Sequence, residues 1–396
     1  MRHRLIVISL LAACASVTLV AQSRYLVDAP GRWKRWSFTA YPDDVRAMGA
    51  RPADLKALES HLLQLNTLIK NTPGFANPIG FSIETSGLIE RPVDGRDAFG
   101  PALTVRPLAS QLAFGPFAII EYGTGAAAKR DDGGETPHIH FYVNLIGQAV
   151  FQSQVPDFEH IETDLARLPP PQPDMFGLPR LGDTLVLKKS AEPIWTAVSF
   201  GDTLETVARG IEQRLGEERQ RTANAQKVYD DLKDPKKREE RMAQYRKIAP
   251  MQKDPAYLDK MAKTEDQIAR RADAEMLPQI ATIKAIVTKS EQELAGVKTM
   301  AAGLSAADKA APACYAISDK VPVSRFRRTP GPGCDPLVRP NWKVFNPALP
   351  RTAPQVLIID TACLRAMPKP EWAHGCTADM RLLQSIDKAA LLAWLQ

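Results

Sequence analysis

Hydrophobic positions near the start of the chain follow a helical period and then give way to short runs. Between residues 51 and 70, leucine and isoleucine recur every three or four positions with Pro52 in the first turn, which predicts an amphipathic helix. No comparable helical period follows before residue 190. Residues 22–190 are therefore predicted to form an α+β domain with an N-terminal helix and a mainly antiparallel sheet. Its expected strands are residues 80–85, 102–105, 117–122, 139–146 and 184–187.

The pattern changes in residues 191–300, where the apolar positions follow the period of long helices. In residues 204–232 they recur at alternating steps of four and three, which is the coiled-coil period with a polar middle. A break at Pro235 precedes a second helical pattern in residues 256–297, and Pro278 is expected to kink it. The region is predicted to be an antiparallel helical hairpin.

Residues 301–396 are rich in proline and loops, with one apolar strand at 356–359 and a closing helix near 380–395. An even number of cysteines in this stretch predicts two disulfides in an oxidising compartment. A four-cysteine zinc site is the rival, but the cysteines lack its close spacing. The sequence thus predicts a small disulfide-linked C-terminal module. Of three alternative pairings, the sequential one is favoured: Cys314 with Cys334, and Cys363 with Cys376.

The first 21 residues have the pattern of a bacterial export signal. A basic start is followed by apolar and small residues through Ala21. Leu11-Ala12-Ala13-Cys14 matches a lipobox, which would make Cys14 a lipidated N-terminus. Cleavage after Ala15 or Ala21 is the alternative, and retention as an anchor is a third. The protein is predicted to be exported, as a periplasmic protein, an outer-membrane lipoprotein or a secreted protein, with membrane contact only through a leader lipid or anchor.

Composition and charge narrow the function classes. The chain is 44% hydrophobic and 24% charged with a net charge of +6, as in ordinary globular proteins. Export and this modest charge argue against a nucleic-acid partner. The usual signatures of serine nucleophiles, P-loops and HExxH zinc sites do not occur. No cofactor is expected from these motifs, and whether the protein is an enzyme stays open, with a non-catalytic role favoured.

One glycine-rich segment imitates a dinucleotide-binding fingerprint. Residues 123–128 match GxGxxA after a predicted strand. That fingerprint requires a following helix to receive the pyrophosphate, and here the next strand begins too soon. The segment is interpreted as a hairpin loop.

The candidate metal ligands are His138 and His140. On a strand, residues two apart lie on one face, so both imidazoles point the same way. A hairpin centred near Arg130 would place Glu121 opposite His140. Two imidazoles and a carboxylate suit zinc or another divalent metal with an open position. In the alternative interpretation, the histidines lie on the polar face of an amphipathic strand and bind no metal.

The histidine pair also resembles part of the first cupin motif, in which an HxH pair and a downstream glutamate lie on a β-barrel. The chain departs from that motif because Gly133 stands one residue too close to His138, and Asn144 and Leu145 occupy the place of the glutamate. The cupin family is therefore not assigned.

Two functional hypotheses follow. The first is an exported envelope protein without catalytic activity that binds a protein partner, or a second copy of itself, through the helical region 198–298. The second is an exported metal-dependent hydrolase built on Glu121, His138 and His140.

Overall fold

The computed structural model describes residues 24–89, 104–122, 129–134, 138–147, 165–168, 172–252, 254–316, 325–328, 330–364 and 373–396. These residues form two compact units. The sheet unit contains the described residues before 148, between 166 and 196, and from 338 onward. The helical unit contains Leu165 and the described residues between 197 and 337. The chain therefore leaves the sheet unit after residue 196 and returns to it at residue 338.

The strands of the described residues vary from two-residue pairs to one long strand near the middle of the main sheet. In chain order they are β1 (Arg24–Tyr25), β2 (Ser37–Thr39), β3 (Phe81–Ile89), β4 (Ser110–Tyr122), β5 (Lys129–Gly134), β6 (Ile139–Val143), β7 (Ala166–Arg167), β8 (Arg180–Leu181), β9 (Thr184–Lys188), β10 (Trp195–Ala197), β11 (Ala313–Tyr315), β12 (Phe326–Arg328), β13 (Asp335–Pro340) and β14 (Val356–Thr361).

The helices are long only in the helical unit. In chain order they are α1 (Pro42–Ala47), α2 (Pro52–Lys70), α3 (Phe200–Lys233), α4 (Pro235–Ile248), α5 (Tyr257–Arg271), α6 (Leu277–Ala302), α7 (Ala306–Ala310), α8 (Ala373–Ser385) and α9 (Lys388–Trp394). A π-helical segment, Ala272–Met276, joins α5 to α6, and short 3-10 turns occur at Ala249–Met251, Trp342–Val344 and Ala362–Leu364.

The main sheet has the strand order β2-β3-β4-β6-β14-β9-β8, and β1 and β5 also pair with β4. The β2–β3 pair is parallel, and the other pairs are antiparallel. The C-terminal strand β14 lies between β6 and β9. The fold is thus mixed α/β with multi-strand sheets, as predicted. The expected strand at 102–105 is not formed in its described part, because Thr104 and Val105 lie in a turn.

One face of the main sheet is apolar and carries the core of the sheet unit. Leu112, Phe141 and Ile359 come from three adjacent strands and are wholly buried on this face. Each such side chain contributes about 1.5–3 kcal/mol through its removal from water. Helices α2, α8 and α9 cover the face with Leu62, Leu65, Ile69, Leu382, Leu383, Ile386 and Leu391.

A buried asparagine ties the end of β6 to the start of β14. Asn144 has a left-handed backbone with φ of 60° and is 4% exposed. Its side-chain amide donates to the carbonyl oxygens of Ala353 at 2.8 Å and Leu108 at 3.4 Å. Its Oδ1 accepts from the backbone N–H groups of Gln355 at 2.9 Å and Val356 at 3.2 Å. One side chain therefore satisfies four backbone groups from two chain segments.

The helical unit is built on antiparallel packing of α3 and α6. Polar contacts between them recur at seven-residue intervals: Glu212 with Lys298, Arg219 with Glu291, and Gln226 with Lys284. The main apolar core lies at one end of the pair and includes Leu204, Val207, Ile211, Leu215, Val297, Tyr315 and Phe326.

The irregularity expected at Pro278 appears just before that residue. Proline has no N–H to donate and its ring crowds the carbonyl four residues earlier. The helix accommodates this with the π-helical segment 272–276 and then continues as α6.

The C-terminal region differs from the expected separate module of residues 301–396. Its first part belongs to the helical unit, and residues from 338 onward complete the sheet unit. The cysteines pair sequentially as favoured, but Cys314–Cys334 lies in the helical unit and Cys363–Cys376 in the sheet unit. The reason is β14, whose apolar residues pair with β6 and β9 rather than with neighbours in sequence.

Among the described residues, no helix is long and apolar enough to cross a membrane. The predicted leader, residues 1–21 with Cys14, lies outside the described residues, as does the glycine-rich segment 123–128.

Candidate functional site

The second face of the main sheet carries the predicted histidines. His138 directly precedes β6 and His140 lies within it, with Ile139 and Phe141 pointing to the buried apolar face. Ala113 of β4 and Asp360 of β14 are the backbone partners of His140 on its two sides. Pairing therefore places His140 near the middle of the sheet, with polar residues of three strands around it.

Aromatic rings form a row along this face. The ring of Phe117 lies edge-on to His138 at 5.8 Å between centroids. The His138 and His140 centroids are 6.2 Å apart, and the His140 ring stacks on Tyr142 at 5.7 Å. Lys34 closes one end of the row, with its Nζ 4.0 Å from the Phe117 centroid. The row offers aromatic edges and faces beside polar groups, an arrangement suited to binding an amphipathic ligand.

A glycine makes room for His138 in this row. A side-chain carbon built at Gly115 would lie 2.7 Å from the His138 Nε2 and 3.2 Å from the Phe117 ring. Any larger residue at position 115 would therefore displace the imidazole. The sequence feature that could have indicated this contact is a glycine in the middle of a strand, because a glycine there often marks a close approach of another group.

His140 is held as a neutral imidazole. Gln111 of β4 is buried and its amide Nε2 donates to the His140 Nδ1, which requires the unprotonated nitrogen. Burial lowers the pKa of His140 to about 4, and the like charge of His138 adds to that effect. The ring is therefore an acceptor at Nδ1 with its proton on Nε2, and it is not a cation near neutral pH.

This pKa predicts a specific dependence of stability on pH. An unfolded histidine has a pKa of about 6.5, so between pH 6.5 and 4 the unfolded chain binds more protons than the folded one at this position. The contribution of neutral His140 to the free energy of unfolding is fully present above pH 6.5. It is lost as the pH falls from 6.5 to 4. Urea unfolding at several pH values, followed by tryptophan fluorescence, should show a smaller pH dependence for His140→Gln than for the unaltered protein.

The matched control for this prediction is His138→Gln. Burial is the larger cause of the lowered pKa, so removal of His138 should leave most of the dependence in place. An unchanged pH dependence in His140→Gln would contradict the assignment.

The structure does not bring Glu121 to the histidines. Glu121 pairs with Arg24 and Arg130, whereas the β4 residue opposite His140 is Ala113. Eight residues of strand separate the two positions, about 26 Å at the usual rise. The expected register was wrong because residues 129–134 pair with β4 as strand β5 instead of belonging to the loop. Within the described parts of the chain, no group of three or more histidine, cysteine, aspartate or glutamate side chains is placed to hold a metal ion.

No protein family, no curated protein and no solved structure matches this chain.

A second candidate surface lies on the helical unit. We call residues 216–289 the arm, since they follow the last buried residue of α3, Leu215. No described residue between 216 and 264 is buried. A shallow groove of about 750 Å³ runs along the arm and is lined by Gly216, Glu217, Gln220, Arg221, Asn224, Ala225, Val228 and Met276.

Apolar side chains are unusually open on the arm. Val228 is 50% exposed, Leu277 is 42% exposed and Met251 is 82% exposed. The sequence pattern predicted the helices but not which of their apolar residues would lack a partner. Which apolar residues stay exposed depends on how far α3 and α6 extend beyond their shared core. This is a property of the tertiary structure.

Proposed function

We propose that the protein is an exported bacterial envelope protein that works by binding a protein partner through its arm, rather than by turning over a substrate. The observation that carries this proposal is the absence of any buried residue among the described positions 216–264, although Val228 and Met251 in that stretch are apolar. A helical segment of this length usually buries an apolar stripe against something. Here that surface is available to another chain.

The contacts within the arm support this interpretation. Arg219 and Glu291 are 2.6 Å apart, and Lys233 and Asp273 are 2.8 Å apart, but all four side chains are substantially exposed. Exposed ion pairs contribute about 0–1 kcal/mol each. They join the two helices while Val228 and Leu277 stay exposed.

The shape and chemistry of the groove indicate the kind of partner. Its lining residues on α3 recur at helical spacing, with Val228 and Ala225 as apolar positions and Glu217 and Arg221 as charges of both signs. An amphipathic helix places apolar residues into such a groove and matches charges along its rim. A coiled-coil-like helical partner, from another protein or from a second copy, is the occupant that fits.

Export is supported by the leader pattern in residues 1–21 and by the two disulfides. Cys314–Cys334 and Cys363–Cys376 account for every cysteine outside the leader. Stable disulfides are typical of the periplasm and of secreted proteins and are rare in the cytosol.

Photo-crosslinking in producing cells tests the proposal. A photoreactive phenylalanine analogue at position 228 is expected to give a covalent adduct of defined mass with a protein partner, because this position lines the groove. The same analogue at Lys227, which is adjacent and exposed but does not line the groove, is the matched control and should give several-fold less adduct. The mass of the adduct distinguishes a second copy from another protein.

A further variant tests whether the groove itself is used. Met276→Glu places a charge on the groove from the π-helical segment and should abolish the adduct formed at position 228. Adducts that are equal at positions 227 and 228, or no protein adduct at either, would refute binding through the arm.

A further inference from the structure

The two disulfides differ in their surroundings, and Cys363–Cys376 has a buried carboxyl group beside it. Cys363 lies in the turn directly after β14 and is half-buried. Cys376 lies in the first turns of α8 and is 8% exposed. Cys363 is therefore the more exposed residue of the pair, and Cys376 is shielded at a helix start, where a thiolate is favoured.

The buried carboxyl group is Asp379, which follows Cys376 by one turn of α8. Asp379 is wholly buried. Its Oδ2 accepts a hydrogen bond from the Thr361 hydroxyl at 2.7 Å and lies 3.4 Å from the Cys363 sulfur. Its Oδ1 is buried with no hydrogen-bond partner among the described residues. A carboxyl group with one oxygen unsatisfied inside a core is costly unless it has a role there.

The surroundings of Asp379 favour its protonated form. Burial raises the pKa of Asp379 well above its usual value, and the Thr361 hydroxyl opposes that shift only in part. On the face that α8 covers, β4 presents the apolar side chains of Leu112 and Phe114. Among the described residues, Arg180 is a charged group next to the turn, and its guanidinium donates to the Leu364 carbonyl at 3.0 Å. A neutral acid therefore lies against the Cys363 sulfur.

We propose that Cys363–Cys376 is a reversible thiol–disulfide exchange site for a dithiol, in which Asp379 gives a proton to the Cys363 sulfur and takes it back. The geometry supplies the two requirements of such a site, a partly exposed cysteine and a proton carrier in contact with its sulfur.

The exchange proceeds in two balanced steps. A thiolate of the dithiol attacks the Cys363 sulfur, the bond to Cys376 breaks, and Cys376 leaves with the electron pair and takes a proton from solvent. The second thiolate of the reagent then attacks the reagent sulfur that is bonded to Cys363. The reagent closes to a cyclic disulfide, and Cys363 leaves with the electron pair. Asp379 protonates Cys363 at this point and is reprotonated from water. The dithiol is oxidised to a disulfide, and the protein gains two electrons and two protons.

The reverse direction uses the same groups. Asp379 first releases its proton to water, the carboxylate then takes the proton from the Cys363 thiol, and the resulting thiolate attacks an external disulfide and expels one of its sulfurs as a thiolate. Cys376 then attacks Cys363 and restores the internal bond. Asp379 is in contact with a reacting atom in both directions, whereas Thr361 acts only by positioning the carboxyl group.

The test uses the purified protein with dithiothreitol between pH 5.5 and 8.5. Samples are quenched rapidly with acid, alkylated and analysed by mass spectrometry, so that for each disulfide the formation and the decay of the mixed disulfide with the reagent are followed separately. Cys314–Cys334 in the helical unit is the internal reference, because the ratio of the two rates cancels the ionisation of the reagent. Cys363–Cys376 is expected to form its mixed disulfide at least about tenfold faster. The ratio of the mixed-disulfide decay rates, which report the release step that Asp379 assists, should fall as rising pH removes the proton of Asp379.

Two variants separate the proposal from a structural role. Asp379→Asn keeps the shape and the contact with Thr361 but carries no transferable proton. The ratio of the mixed-disulfide decay rates should therefore drop about tenfold at low pH and lose its pH dependence. Thr361→Val removes the hydroxyl that lowers the pKa of Asp379, so the fall in the ratio should move to higher pH. Equal opening of the two disulfides, or an unchanged pH profile in a folded Asp379→Asn variant, would overturn the proposal.

Discussion

Replacement of Asn144 by alanine is expected to lower the free energy of unfolding of the sheet unit by about 3–4 kcal/mol. The change leaves two buried backbone N–H groups and two buried carbonyl oxygens without the partner that the amide provides. It also places alanine on a backbone with φ of 60°, which asparagine tolerates better. Few single substitutions remove so many contacts between β6, β14 and the Leu108 segment.

Denaturant unfolding followed by tryptophan fluorescence measures this effect, because the described tryptophans all belong to the sheet unit. Asn144→Gly separates the two contributions, since glycine accepts the left-handed backbone but makes no side-chain hydrogen bond. It should recover only about 1 kcal/mol relative to alanine. A loss below 1 kcal/mol in Asn144→Ala would show that the network does not hold the strands together.

Replacement of Arg241 by methionine is expected to destabilise the outer part of the arm by about 3 kcal/mol. The Glu265 side chain is 1% exposed and receives hydrogen bonds from Arg241, at 2.8 and 2.9 Å, and from the Tyr245 hydroxyl at 3.2 Å. Removing the guanidinium leaves a carboxylate buried without its countercharge. Amide hydrogen exchange should show protection in α4 and α5 falling about a hundredfold, which corresponds to that free energy.

A surface pair in the same helix provides the control. Arg246 and Glu239 are 2.6 Å apart, but both are more than half exposed, so Arg246→Met should change protection by less than about 0.5 kcal/mol. The double variant Arg241→Met with Glu265→Leu should restore much of the protection, because no buried charge remains. Equal effects of the two single arginine variants would contradict this account of the arm.

Local patterns were enough to predict the helices. The leucine period in residues 51–70 corresponds to α2, and the longer periods after residue 200 correspond to α3 and to the continuous run of α5 and α6. Helical contacts are close in sequence, so the spacing of apolar residues reports on them directly. Strand β14 was also recognised from its apolar run, but its position between β6 and β9 depends on pairing with residues far away in the sequence, as in Val356 with Lys188 and Leu357 with Val143.

The candidate sites were harder to predict because they depend on register and burial. The charged and glycine-rich residues 129–134 have low strand propensity, yet they pair with β4 and move His140 away from Glu121. Asp379 stands on a helix three residues after a cysteine, where sequence alone suggests an exposed polar residue. Its full burial beside Cys363 follows from the way α8 covers the sheet.

The position of β14 has a consequence for biosynthesis. Its two neighbours are made well before it, because β6 ends at Val143 and β9 at Lys188, whereas β14 begins at Val356. Until it arrives, the edges of β6 and β9 that face each other lack their hydrogen-bonding partner, and open strand edges attract other chains. The central part of the sheet is therefore completed only once residues 356–361 have been made, and a chain cut short before residue 356 presents two unpaired strand edges there.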